Sequence, residues 1–157
     1  MHEKQDFATD LFHFLISATK GVVKAVWGSE GLEGLTGPQF GILVHLYKTG
    51  HLSPSELSDR VSVTAGNMTG MITRLKKLGY VERRRLTADR RQLRIALSPK
   101  GLEKVEETLP IWRKRVRECF QPIPETQKKQ LITLLGQLCQ ILPAPICTPL
   151  HGKEPTE

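Results

Sequence analysis

The run Arg83-Arg84-Arg85-Leu86-Thr87-Ala88-Asp89-Arg90-Arg91, with Leu93-Arg94-Ile95-Ala96-Leu97 close behind it, decides how this chain reads. Two arginine clusters flank a turn, and the alternation after them has the period of a strand, so the segment predicts a charged β-hairpin. From Ser53 to Gly101 there are 11 basic and 4 acidic residues, a balance of +7. The whole chain has 23 basic and 16 acidic residues, also +7, which leaves 12 of each sign elsewhere. All of the excess positive charge therefore sits in one segment. Evenly spread lysines serve solubility, whereas one concentrated patch suits a polyanion that gives up condensed counterions to it. Nucleic acid is the partner this favours.

The residues before the hairpin predict two short helices. Ser53-Pro54-Ser55-Glu56 places Ser at N-cap, Pro at N1 and Glu at N3, a capping box, and opens a helix carrying Leu57 and Val61. Thr64 caps a second helix that ends at Gly79. Two short helices with a tight turn, followed by a hairpin, form a winged helix-turn-helix pattern. At 100° per residue, Ala65, Met68, Met71, Ile72, Leu75 and Leu78 fall on one side of the second helix, with Gly66, Thr69, Gly70, Thr73 and Lys77 opposite. Each of the two glycines lowers helix propensity by about 1 kcal/mol relative to Ala. Close approach to another surface is a reason for them, and a major groove admits a helix whose threonines donate to base or phosphate oxygens.

The expected contacts with duplex DNA are therefore Thr64, Ala65, Gly66, Asn67, Thr69, Gly70, Thr73, Arg74 and Lys77 on the helix, with Arg84, Asp89, Arg90 and Arg91 on the wing. Asp89 stands two residues before Arg91, where a carboxylate holds a guanidinium in one orientation for a narrow minor groove. The plainer readings are a solvated helix face with two tolerated glycines, an Asx-type turn at Asp89, and a solvated strand face for Arg83, Arg84 and Arg94.

Outward from this segment the chain is helical. Phe7, Leu11, Phe14, Leu15, Ala18, Val22 and Ala25 recur at helical spacing up to Gly28. Thr36-Gly37-Pro38-Gln39 is a second capping box, opening a helix with Phe40, Leu43, Val44 and Tyr47 on its buried side and Gly50 at its end. Ser98-Pro99 caps a helix through Leu102, Val105, Leu109, Trp112, Val116 and Phe120, which Pro110 should kink. The last helix carries Leu131, Leu134, Leu135, Leu138, Ile141 and Leu142, and the prolines from Pro143 onward predict a disordered tail. The fold class expected is mainly α with a small β wing, a winged helix-turn-helix domain flanked by N- and C-terminal dimerisation helices. The expected boundaries are 1–34 for the N-terminal dimerisation helix and loop, 35–98 for the DNA-binding lobe, 99–142 for the C-terminal dimerisation helices and 143–157 for the tail.

Other function classes find little support. No apolar run suits a bilayer or a signal peptide, so a cytoplasmic location without membrane contact is the default. Cys119, Cys139 and Cys147 are odd in number, lack CxxC spacing and stand apart from the histidines, which supports no disulfide framework, no metal site and no cofactor. Buried, inert thiols are the favoured reading, with a redox response through Cys119 and Cys139 as the alternative. No nucleophile pairs with a base near a Gly-rich loop, and no paired carboxylates share an apolar helical face, so no catalytic residue is assigned and an enzyme is not expected. The rival to a DNA-binding regulator is a winged helix used as a protein-interaction module.

Leu35-Thr36 with Gln39, Glu56-Leu57, Met68-Thr69 with Ile72 and Arg74-Leu75, Gly79-Tyr80-Val81-Glu82-Arg83, Asp89-Arg90-Arg91 and Leu97-Ser98-Pro99-Lys100-Gly101 together resemble the MarR (multiple antibiotic resistance regulator) family. The resemblance covers Leu35 to Gly101. It implies a homodimeric transcription factor, usually a repressor, whose terminal helices interlock and which binds a pseudo-palindromic operator. It also implies Thr69 and its neighbours on the recognition helix, Arg91 as the minor-groove arginine, and Asp89 orienting it. Relief by a small lipophilic or phenolic effector follows from the same resemblance, with Phe14, Trp27, Phe40 and His45 as candidate contacts. Two departures stand out: Ser98 replaces the more usual threonine, and the first helix lacks the cysteine of the family's peroxide sensors.

Overall fold

The computed structural model describes residues 6–86 and 89–142, with the side chains of 85–92 outside that description. The predicted tail, 143–157, and Cys147 also lie outside the described residues, as does the hairpin turn at Thr87-Ala88. In chain order the elements are α1 (Phe7–Trp27), α2 (Gly37–Thr49), β1 (His51–Leu52), α3 (Pro54–Val61), α4 (Ala65–Lys77), β2 (Val81–Leu86), β3 (Asp89–Leu97), α5 (Pro99–Phe120) and α6 (Glu125–Ile141). The predicted mainly helical fold with a small β wing is what forms.

Local chemistry sets most of the boundaries. Gln39 Oε1 accepts from the Thr36 backbone N–H at 3.1 Å, and Glu56 Oε2 accepts from that of Ser53 at 2.7 Å while Ser53 Oγ accepts from Glu56 N–H at 3.2 Å. Each such cap satisfies amide groups that the first helical turn leaves without partners. Ser98 Oγ likewise accepts from Gly101 N–H at 3.0 Å. The α5 helix continues through Pro110 to Phe120, so the loss of one amide donor does not terminate it.

The strands form one antiparallel sheet in the order β1-β3-β2. Val81 faces Leu97, Arg83 faces Ile95 and Arg84 faces Arg94, while His51 and Leu52 pair with Ala96 and Ile95. Sequence periodicity missed β1, because two residues carry no alternation to read. The core lies where α2, α3, α4, α5 and the sheet meet, around Leu43, Leu46, Leu57, Met68, Leu75, Ile95 and Val105. A second missed element is the segment after α1, where Leu32 and Leu35 bridge each other and are both buried.

The terminal helices, expected to serve dimerisation, leave most of their apolar stripes outside the core of the chain. Val26 is the buried residue of α1, and α6 buries none. Phe7, Leu11, Phe12 and Phe14 on α1 and Ile132, Leu134 and Ile141 on α6 lie exposed. No helix among the described residues is long and apolar enough to cross a membrane.

Candidate nucleic-acid interface

Helix α4 turns Met68, Ile72 and Leu75 into the core. Thr64, Ala65, Gly66, Asn67, Thr69, Gly70, Thr73, Arg74 and Lys77, the residues expected to contact DNA, are all exposed. The helix ends depart from the sequence expectation: Ala65 and Leu78, placed on the inner side by periodicity, are both exposed. Ala65 is the first helical residue and Leu78 the C-cap, where the buried stripe runs out past the core. A Cβ added at Gly66 or Gly70 would meet nothing within 4 Å. Nothing among the described residues therefore requires glycine at either place.

Thr69 Oγ1 donates to the Ala65 carbonyl at 3.1 Å and Thr73 Oγ1 to the Thr69 carbonyl at 2.9 Å. This revises the expectation that these threonines present donors. With the hydroxyl hydrogens bonded one turn back, the surface offers acceptor lone pairs and methyl groups, and donation outward requires a hydroxyl rotation.

The wing rises from the C-terminal end of α4 and is tied there. Lys100 Nζ donates to the Leu78 carbonyl at 2.9 Å and sits 5.3 Å from the centre of the Tyr80 ring. An ammonium at a helix C-terminus meets carbonyls that have no intrahelical partner. Ser98 Oγ donates to the Gly79 carbonyl and Ser98 N–H to that of Tyr80 at 3.1 Å. The Gly79-Tyr80 and Ser98-Pro99-Lys100-Gly101 motifs are thus two sides of one joint.

Arg84 is 60% exposed and its Nε donates to Glu82 Oε1 at 2.7 Å. Its cross-strand partner Arg94 is only 20% exposed and bonds Glu56 of α3, which replaces the solvated strand face considered for it. Asp89, Arg90 and Arg91 lie on the β3 backbone, and their side chains fall outside the described residues.

A separate cleft of about 720 Å³ opens between the end of α1, α2 and α5. Of the four effector candidates it gathers Trp27, Phe40 and His45; Phe14 is not among its lining residues and lies exposed on α1. Trp27 meets Phe40 edge-on at 5.6 Å, and Phe40 lies 6.0 Å from Trp112. Sequence reasoning missed Trp112, Tyr47, Lys48 and Arg113, which also line the cleft, because their helices meet only in three dimensions. Burial lowers the His45 pKa, helped by the positive charges of Arg60 and Lys48. Burial and the nearby Arg113 guanidinium lower that of Lys48. The cleft combines aromatic walls with cationic groups, a match for a planar organic anion.

Cys119 and Cys139 are partly buried on α5 and α6, and no group of residues suited to a metal ion occurs among the described residues.

Two helices joined by a tight turn, the second one facing outward beside a small antiparallel wing, define the winged helix-turn-helix class. A profile of the MarR family matches residues 35–93. The repressor YetL of Bacillus subtilis (strain 168) is 32% identical over 111 residues, 69% of this chain and 66% of YetL, so the match spans just under two thirds of that repressor. A probable transcriptional regulator from Pseudomonas aeruginosa is 27% identical and superposes with a TM-score of 0.73, covering 83% of this chain and 98% of its own. Sco3205, a MarR family transcriptional regulator from Streptomyces coelicolor solved in complex with DNA, is 21% identical with a TM-score of 0.77, covering 91% and 94% respectively. Residues 35–93 of this chain thus carry the DNA-binding segment characteristic of the MarR family.

Proposed function

We propose that the protein is a homodimeric, sequence-specific regulator of transcription, most simply a repressor, which holds duplex DNA through α4 and its wing. The observation that carries this reading is the outer face of α4. It is small, polar and basic, its two glycines answer to nothing among the described residues, and it lies within the segment from Ser53 to Gly101 that holds the entire net charge. YetL is named a repressor and Sco3205 is seen with DNA, which supports the same assignment here. Thr64, Ala65, Gly66, Asn67, Thr69, Gly70, Thr73, Arg74 and Lys77 meet the major groove, and Arg84, Asp89, Arg90 and Arg91 serve the flanking minor groove.

The exposed apolar faces of α1 and α6 are covered by a second copy of the chain. This divides the molecule into dimerisation helices at either end and a DNA-binding lobe between them, working without catalysis in the cytoplasm. The cleft of Trp27, Phe40, His45, Lys48, Trp112 and Arg113 accepts a small aromatic anion that releases the operator. It holds both tryptophans of the chain, so quenching of intrinsic fluorescence by benzoate reports its occupation.

Selection of bound duplexes from a random pool tests the reading. A two-fold dimer recovers a pseudo-palindrome with half-sites about 10 bp apart or a near multiple, because each α4 must meet the same groove face. Recovery of no common sequence contradicts it.

A further inference from the structure

The carboxylate of Glu56 serves two elements at once. Its Oε2 accepts from the Ser53 backbone N–H at 2.7 Å, closing the capping box of α3, and it also accepts from Arg94 Nη1 of β3. The residues are 38 apart in sequence and belong to different halves of the lobe. Sheet register explains how they meet: Leu52 pairs with Ile95, so the chain leaving β1 for α3 passes Arg94 next.

Arg94 also stands directly opposite Arg84. Opposed side chains of an antiparallel pair share a face, and like charges there repel. Each guanidinium has its own carboxylate, Glu82 for Arg84 and Glu56 for Arg94. The outcome is asymmetric, since Arg84 remains largely open to solvent while Arg94 is drawn against α3.

We propose that Glu56 is a wing-positioning residue: through Arg94 it straps β3 to the N-terminus of α3 and fixes the wing relative to α4. Arg94, for all its charge, is then a structural partner and not a phosphate contact. The strap matters because α4 and the wing address neighbouring grooves, and a register set by backbone contacts decides which base edges a helix meets. Its consequence for DNA rests on the regulator reading above; the strap itself does not.

Glu56→Gln is the informative substitution, because glutamine still accepts from Ser53 N–H and loses only the charge that holds Arg94. In the full-length protein without DNA, hydrogen exchange at the β3 amides should quicken in Glu56→Gln. It should stay at the wild-type rate, after correction for global stability, in Ser53→Ala, which weakens the cap but leaves the Arg94 pair intact. With DNA, Glu56→Gln should bind the selected operator about tenfold more weakly, the order expected for losing one charged positioning bond. Affinity for random duplex should not fall, since the variant gains positive charge. Arg94→Gln should lose the same operator preference, and the double variant should be no worse than either single one.

Unchanged β3 exchange in Glu56→Gln overturns the strap. So does a rise in affinity by one common factor on both duplexes, which would make Arg94 a phosphate ligand released by the substitution. If β3 exchange quickens while the wild-type protein itself prefers no duplex, the strap stands and the regulator reading fails.

Discussion

A Cβ built on Gly101 would lie 1.9 Å from the carbonyl oxygen of Tyr80, so α5 begins in backbone contact with the residue that leads into the wing. Close approach, and not an unusual backbone angle, is what demands glycine there. Gly101→Ala should destabilise the fold by about 1–3 kcal/mol, the usual range for overpacking a site that cannot give way. Chemical denaturation measures this, and an unchanged midpoint would show that the joint relaxes freely.

Gly70→Ala should do the reverse. The position is helical and open, so alanine should add about 1 kcal/mol of stability while its methyl group holds α4 away from a groove. A higher Tm together with weaker operator binding is the expected pair of results. A higher Tm with undiminished binding would leave the glycine without the role assigned to it.

These two glycines show what the sequence made legible. Both motifs were visible in the chain, and the helix-turn-helix with its wing followed from caps and periodicity, because Ser53, Glu56, Thr64 and Gly79 mark boundaries by local chemistry. The tie between Gly101 and Tyr80 was not, since glycine looks the same whether it serves a turn or a close packing. The Glu56 and Arg94 pair was hidden by its separation in sequence, and the cleft by its origin on three helices. The apolar stripes of α1 and α6 are legible in the sequence, but periodicity cannot tell a face buried within the chain from one left exposed.

Those exposed faces predict the oligomer. Sedimentation at micromolar concentration should give about twice 17.7 kDa, and Ile132→Asp, at a position 69% exposed, should shift the protein toward monomer without loss of helix content. A clean wild-type monomer would contradict the arrangement.

His45 gives the ligand-free protein a pH dependence. Its folded pKa is lowered by burial first and then by Arg60 and Lys48, with Arg113 and Glu106 also bordering the cleft. The unfolded chain therefore takes up a proton before the folded one does. Stability from a neutral His45 is intact above about pH 6.5 and declines as the pH falls from there toward the folded pKa. Tm measured from pH 7.5 to 5.5 should drop more steeply for wild type than for His45→Gln. Parallel curves would remove His45 as the source.

The central claim is that α4 reads sequence while neighbouring cations supply general attraction, and competitive titration of operator against random duplex across a salt series tests it most directly. Thr73→Ala should cost roughly 1–3 kcal/mol per half-site on the operator and much less on random DNA. Lys77→Ala should weaken every duplex alike and flatten the slope of log K against log salt by about 0.9 per contact, or about 1.8 for a dimer. Arg91→Ala should weaken binding most where the operator flanks are rich in A·T pairs. If all three substitutions lower affinity by one common factor on every duplex, the surface is a general polyanion patch and the account of a sequence-specific regulator is wrong.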